Sequence, residues 1–183
     1  MRITILNGSS EKDRGFNAYT KECVAHLEAL GNEVAYLQLR NLELKGCAGC
    51  WGCWVKTPGE CVRRDDSAAI CQAVMDSDIT VLASPMRMGF TSALLKRAAD
   101  QMIALVHPYI VVEGGEMHHR HRYARYPRFG LLLGPATDTD AEDIAITTHI
   151  WSRAARNFKS SLVLTVTSTV SAKEAADELI AAA

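Results

Sequence analysis

No run of this chain is long and apolar enough to cross a bilayer, and the short apolar stretch Ile3 to Leu6 after Met1-Arg2 stops at Asn7-Gly8, too soon for a signal-peptide core. The expectation is a cytoplasmic protein with no membrane partner. Charge of one sign is not in excess either: 20 Lys and Arg stand against 21 Asp and Glu, so no global field draws nucleic acid. There is no internal repeat and no low-complexity linker. The loop after the first apolar run is neither Gly-x-Gly-x-x-Gly nor Gly-x-x-x-x-Gly-Lys-Ser/Thr, which argues against a Rossmann dehydrogenase and a nucleotide triphosphatase. No Ser/His/Asp constellation is visible, so no side chain is expected to act as catalyst in its own right. Cysteine is scarce outside one segment: of six, only Cys23 and Cys71 lie elsewhere, in helical patterns that suit small core residues.

What the chain does have is 183 residues with 48% hydrophobic content, enough for a single domain, 1–183, with one buried core. Short apolar runs predict strands over Arg2 to Leu6, Glu33 to Leu39, Ile79 to Ala83, Phe129 to Leu133 and Leu162 to Val166. Helical periodicity predicts helices over Asn17 to Leu30, Ser67 to Ser77, Ser92 to Leu105, Ala141 to Phe158 and Ala172 to Ala182. Strand and helix in alternation imply an α/β fold, a doubly wound five-stranded parallel sheet with helices on both faces. Two connections exceed ordinary loop lengths, Arg40 to Asp66 and Val106 to Arg128.

The first of these holds Cys47, Cys50, Cys53 and Cys61 within fifteen residues, with Gly49, Gly52 and Gly59 between them. Thiols so spaced suit one soft ion or cluster. A disulfide framework fits short secreted chains better. A [4Fe-4S] cluster, bare thiols and a four-thiolate zinc site all remain open on the spacing alone. Because the segment follows the second strand, topology places it on the carboxyl edge of the sheet, beside any ligand bound there.

Two other loops are expected at that edge. Gly8-Ser9-Ser10-Glu11-Lys12-Asp13-Arg14-Gly15-Phe16-Asn17 opens a helix, and backbone N–H groups with serine hydroxyls there suit a single phosphate as well as a plain turn and cap. Ser84-Pro85-Met86-Arg87-Met88-Gly89-Phe90 also leads into a helix, and its Met86, Met88 and Phe90 suit either a flat aromatic ligand or the core.

Taken together, the serine loop ending at Asn17, Ser84-Pro85 with Gly89, Ser92 and Lys96, and Cys50-x2-Cys53-Trp54-x-Lys56-Thr57-Pro58-Gly59-x-Cys61 before Asp65-Asp66 resemble the flavodoxin-like NAD(P)H-dependent FMN reductases. The cysteine segment is similar to that of the iron-sulfur flavoproteins within that group. The resemblance covers nearly the whole chain. It implies a flavodoxin-like sheet in the order 2-1-3-4-5, FMN held noncovalently by Ser9, Ser10, Phe16 and Asn17 and by Ser84, Pro85, Met86, Arg87, Met88 and Gly89, and NAD(P)H as donor. It further implies a [4Fe-4S] cluster on Cys47, Cys50, Cys53 and Cys61, or bare thiols beside the flavin. The implied activity passes electrons to a quinone, a nitroaromatic or another small acceptor. The competing class is an electron carrier serving a ferredoxin-like protein partner. Arg87 departs from the family's usual aromatic residue and offers a cation to the flavin edge instead. Glu11 and Asp13 put negative charge in the phosphate loop, offset by Lys12 and Arg14. Asp100-Gln101 stands where the family commonly has Asp-Arg.

His118, His119 and His121 among Arg120, Arg122, Arg125 and Arg128 form a basic stretch poorly shaped for one metal ion and better suited to an interface or to a nucleotide phosphate. With Tyr109, Tyr123 and Tyr126 the second long connection predicts a homodimer or homotetramer. Asp138, Asp140, Glu142 and Asp143 fit the start of a helix, where carboxylates meet the dipole favourably.

Overall fold

The strand β1 (Arg2–Asn7) is buried from Ile3 onward, and its two sides meet different helices. Ile3 and Ile5 face one way while Thr4 and Leu6 face the other, the alternation of an extended chain. Burial on both sides is what an interior strand of a parallel sheet requires. The chain continues through α1 (Arg14–Ala29), β2 (Glu33–Gln38), a one-turn α2 (Gly52–Val55), α3 (Ser67–Asp76), β3 (Ile79–Arg87) and the two-residue β4 (Phe90–Thr91). Then come α4 (Ala93–Gln101), β5 (Val106–Glu113), β6 (Glu116–His121), β7 (Arg128–Gly134), α5 (Ala141–Asn157), β8 (Leu162–Thr167) and α6 (Ala172–Ala182). The computed structural model describes all 183 residues.

The parallel strands stand in the order β2-β1-β3-β7-β8. With β7 and β8 as the fourth and fifth strands expected from the sequence, this is the flavodoxin-like 2-1-3-4-5 arrangement, and its strand order reverses between β1 and β3. α1 and α6 cover one face, where Ile3, Ile5, Leu27, Val81, Leu132 and Leu179 form a core. α3, α4 and α5 cover the other, over Leu6, Ile70, Leu82, Leu95, Leu131 and Trp151. No helix is long and apolar enough to cross a membrane.

Two expectations need correction. β3 does not end at Ala83: it runs on to Arg87 and turns back antiparallel as β4, pairing Met86 with Thr91 and Arg87 with Phe90. Met88 and Gly89 form the turn with φ of 49° and 71°, the left-handed values that a tight hairpin demands. The helix expected over Ser92 to Leu105 divides, since α4 stops at Gln101 and a 3-10 turn, Met102–Leu105, carries the chain onward.

The second long connection forms regular structure of its own. β5 and β6 pair as a hairpin separate from the main sheet, turning at Gly114-Gly115, both left-handed. Glu113 and Glu116 face each other across that turn, a repulsive pair. Cations of the α5 end offset it: Lys159 pairs with Glu113, while Arg153 and Arg156 reach Glu116 at 2.7 and 3.4 Å. Those contacts, with buried His118 joining Asn157 and Glu116, dock the hairpin on α5.

Candidate functional site

Gly8 joins the two loops that follow β1 and β3. Its N–H donates to the Ala83 carbonyl at 2.8 Å, and its own carbonyl accepts from Ser92 Oγ at 2.6 Å. Ser92 also caps α4 by accepting from Leu95 N–H, and its own N–H donates to Ser84 Oγ. The β1–α1 loop and the β3–β4 turn are therefore held side by side at the carboxyl edge, at the strand-order reversal where doubly wound sheets bind ligands.

The β1–α1 loop is shaped by buried amides. Asn7 donates through Nδ2 to Tyr36 Oη at 2.6 Å and to Thr20 Oγ1 at 3.2 Å, and its Oδ1 accepts from Ser9 N–H. Ser9 is fully buried and gives its hydroxyl to Asn17 Oδ1 at 2.6 Å, while Asn17 Nδ2 donates to the Ser10 and Asp13 carbonyls. Arg40 adds a bond to Asn17 Oδ1 at 2.7 Å. Ser9 and Asn17 thus brace the loop from within. Phe16 belongs to the core: its ring lies against Gly134, where an added Cβ would sit 2.5 Å from it.

Ser10 is the residue of this loop whose donors face an anion. Its N–H and hydroxyl donate to one oxygen of Asp13 at 2.8 and 2.7 Å, and the other Asp13 oxygen pairs with Arg87. Burial would raise the Asp13 pKa, but the Ser10 hydrogen bonds and the Arg87 charge outweigh it and hold the carboxyl below its ordinary 3.8. This donor set suits a phosphate oxygen equally well.

On the β3 side the expected ligand platform divides. Ser84 and Pro85 are buried, Ser84 Oγ donating to the Pro85 carbonyl. Met86 is fully buried in the α4-side core, so it faces no ligand, and Phe90 stacks on Trp151. Arg87 turns to Asp13 instead of standing free as a cation for a ring edge. Met88 is 98% exposed. At Gly89 an added Cβ would meet Asp143 Oδ1 at 2.4 Å, and the Gly89 carbonyl accepts from Thr147, which seats α5 against the turn. Asp143 and Asp140 form a capping box on α5, the helix-start role their sequence predicts.

The four cysteines gather, but not at the carboxyl edge. After β2 the chain runs down the flank of α4, where Arg97 donates to the Leu44 carbonyl, Gln101 to that of Lys45 and Arg63 to that of Gly46. Asp65 and Asp66 accept from the Lys45 and Glu43 N–H groups and close the base of the segment. Trp54 Nε1 donates to the Val106 carbonyl at 2.9 Å. Cys47, Cys50, Cys53 and Cys61 consequently line a cavity of about 530 Å³ with Trp51, Trp54, Gln101 and His119. That places them a helix length from Ser92, about 13 Å by the rise per residue. The topological expectation of proximity to the Ser84 loop fails within one chain, because the loop after β2 extends along α4 before α3 begins.

Cys47 and Cys50 are exposed, Cys53 and Cys61 half-buried, and all are free thiols. Burial, and then the neighbouring Cys47, raise the Cys53 pKa. No three of the His, Cys, Asp or Glu side chains converge tightly enough to hold a metal ion as they stand. Arg40 and Tyr36 carry no sequence pattern of their own, being a cation after β2 and a strand tyrosine, and Asp13 stood out only as a negative charge in the loop.

Over residues 1–125 the chain matches the NADPH-dependent FMN reductase family. An iron-sulfur flavoprotein of Archaeoglobus fulgidus is 31% identical over 107 residues, 58% of this chain and 48% of that protein. One of Methanocaldococcus jannaschii is 29% identical over 101 residues, 55% of this chain and 51% of its own length. The chain spans about half the length of these curated relatives. Among solved structures, an FMN-dependent NADH-azoreductase from Bacillus anthracis in complex with FMN superposes with TM-score 0.66 over 97% of this chain and 98% of its own, at 11% identity. A putative quinone reductase from Klebsiella pneumoniae gives 0.64 over 100% of this chain and 82% of its own, at 13% identity. At such identities the likeness is one of fold. The family match covers most of the chain, including both loops joined through Gly8, and by it the chain belongs to the NADPH-dependent FMN reductase family.

Proposed function

We propose that the chain, acting as one flavin-binding domain, holds FMN noncovalently at the carboxyl edge and passes electrons from NADH or NADPH to a quinone, a nitroaromatic or another small acceptor. The observation that carries this reading is the donor set at Ser10, already organised around an anion at the strand-order reversal. When bound, FMN supplies the hydride and electron chemistry. The chain's own residues bind and orient. Ser10 would hold the phosphate, with Ser9, Phe16 and Asn17 keeping the loop in shape from behind. The Ser84 to Gly89 segment would meet the ring through its backbone and through Met88, since Met86 is buried and Arg87 is paired with Asp13. A cytoplasmic location belongs to this reading.

A second reading, an iron-sulfur flavoprotein carrying electrons to a ferredoxin-like protein, is favoured by one observation: four free thiols line a single cavity. Their thiolates would hold a [4Fe-4S] cluster once Cys47 and Cys50 turn inward, a movement their exposure permits. One anaerobic preparation tests both. Bound FMN whose yellow band is bleached on rapid mixing with NADH or NADPH is the expected result, and absence of bleaching by either donor overturns the reductase. Stoichiometric iron and sulfide support the cluster; their absence removes it and leaves a plain FMN reductase.

A further inference from the structure

Asp13 stands at the start of α1, yet its side chain makes no capping bond to the helix. It is only 9% exposed, and its carboxylate is turned instead into the β1–α1 loop, onto Ser10 N–H and Ser10 Oγ. A capping role does not account for that orientation. The two Ser10 bonds are local, reaching three residues back, whereas Arg87 approaches from the distant β3–β4 strand pair. Arg87 comes from the β3–β4 turn, so the pair also ties together the two loops between which the flavin of the proposed function would lie. Arg40, by contrast, is engaged with Asn17 Oδ1 and the Ser9 carbonyl.

Resting on the FMN reading, we infer that Asp13 is an internal competitor for the flavin phosphate: latched by Arg87, its carboxylate fills the seat and must turn out before the phosphate enters. Two anions cannot share the Ser10 donors, because one Asp13 oxygen already takes both of them and like charges a few ångströms apart repel. Apparent affinity for FMN is then the intrinsic affinity reduced by the fraction of molecules in which Asp13 has swung away. Riboflavin, which has no phosphate, does not compete with Asp13 to the same degree. The consequence is a chain that holds FMN as an exchangeable ligand and separates FMN from riboflavin poorly. Electron transfer can then run through flavin that arrives and leaves.

The test compares the unaltered protein with Asp13→Asn and Asp13→Ala, titrating each with FMN and with riboflavin and following the quenching of flavin fluorescence. Both variants should bind FMN about tenfold or more tightly, while riboflavin affinity stays within about twofold, so the FMN-to-riboflavin ratio rises. Riboflavin binding doubles as the check that each variant is folded. FMN bound by both variants no more tightly than by the unaltered protein overturns the inference alone. Failure of all three proteins to bind either flavin overturns the FMN reading and the inference with it.

Discussion

Gly8 shows how little freedom the site allows a single residue. An added Cβ would lie 2.6 Å from Ser92 Oγ, 2.7 Å from Leu95 Cβ and 3.0 Å from Leu95 N, and two of those three atoms belong to the packed start of α4. A flexible side-chain tip could give way; a helix start cannot. Gly8→Ala should therefore destabilise the protein by about 1–3 kcal/mol, as overpacking of a close contact does, and should weaken FMN binding by prising the two loops apart. Urea unfolding followed by circular dichroism measures the first effect. A variant as stable as the unaltered protein would mean that the Gly8–Ser92 contact does not join the loops rigidly. Asn7 and Ser9 make the same point through hydrogen bonds: each is fully buried and fully engaged, so the loop is built before any ligand arrives.

Among the elements, the cysteine segment is the one with little regular structure of its own. It is held at its base by Asp65 and Asp66 and along α4 by Arg97 and Gln101, and between these anchors Gly49, Trp51 and Gly59 take left-handed conformations. The thiols differ sharply in character. Burial pushes Cys23 up to about 11 and Cys71 up to about 12, while Cys47 and Cys50 lie in the open. Metal-free protein treated with iodoacetamide near pH 8 should be alkylated first at Cys47 and Cys50, with Cys23 and Cys71 untouched until denaturant is added. At that pH fewer than about one in a hundred of the latter thiols is ionised, and neither is exposed. Peptide mass mapping reads the order. Early labelling of Cys71 would mean that the segment opens away from α3.

For the whole molecule, the hairpin leaves an apolar face uncovered. Ile110, Val112 and Met117 share one side of the β5–β6 pair by register and alternation, with Val112 71% and Met117 77% exposed. Such a patch is more characteristic of an interface than of a free surface. The protein should run as a homodimer or homotetramer at micromolar concentration in light scattering. Met117→Glu, on that face, should shift it towards monomer while leaving the main sheet intact, because the hairpin docks on α5 through its opposite side, where His118 is buried. A monomeric unaltered protein would remove the assembly prediction.

The five parallel strands and their flanking helices were legible in the amino-acid sequence to within a few residues, because burial on both faces leaves apolar runs and helices leave a period that local chemistry cannot disguise. Ser9, Ser10, Asn17 and Ser84 were legible as residues of the loops at the carboxyl edge, because small polar residues between a strand and a helix mark a turn there; which of them brace the loop and which present donors was not legible. The β5–β6 hairpin did leave a trace in Gly114-Gly115, but Pro108 and the run of histidines and arginines hid its strands. The rest belonged to the tertiary structure alone. Whether Met86 faces a ligand or the core depends on β3 continuing four residues past Ala83, and which way the Asp13 carboxylate turns depends on Arg87, distant in sequence, arriving beside it. The cysteines sit a helix length from the carboxyl edge because of hydrogen bonds from Arg97 and Gln101 to the backbone of a loop far away in the chain. Spacing records which side chains are neighbours along the chain; only folding decides which way a connection runs between its ends, because many paths join the same two points and long-range contacts select one.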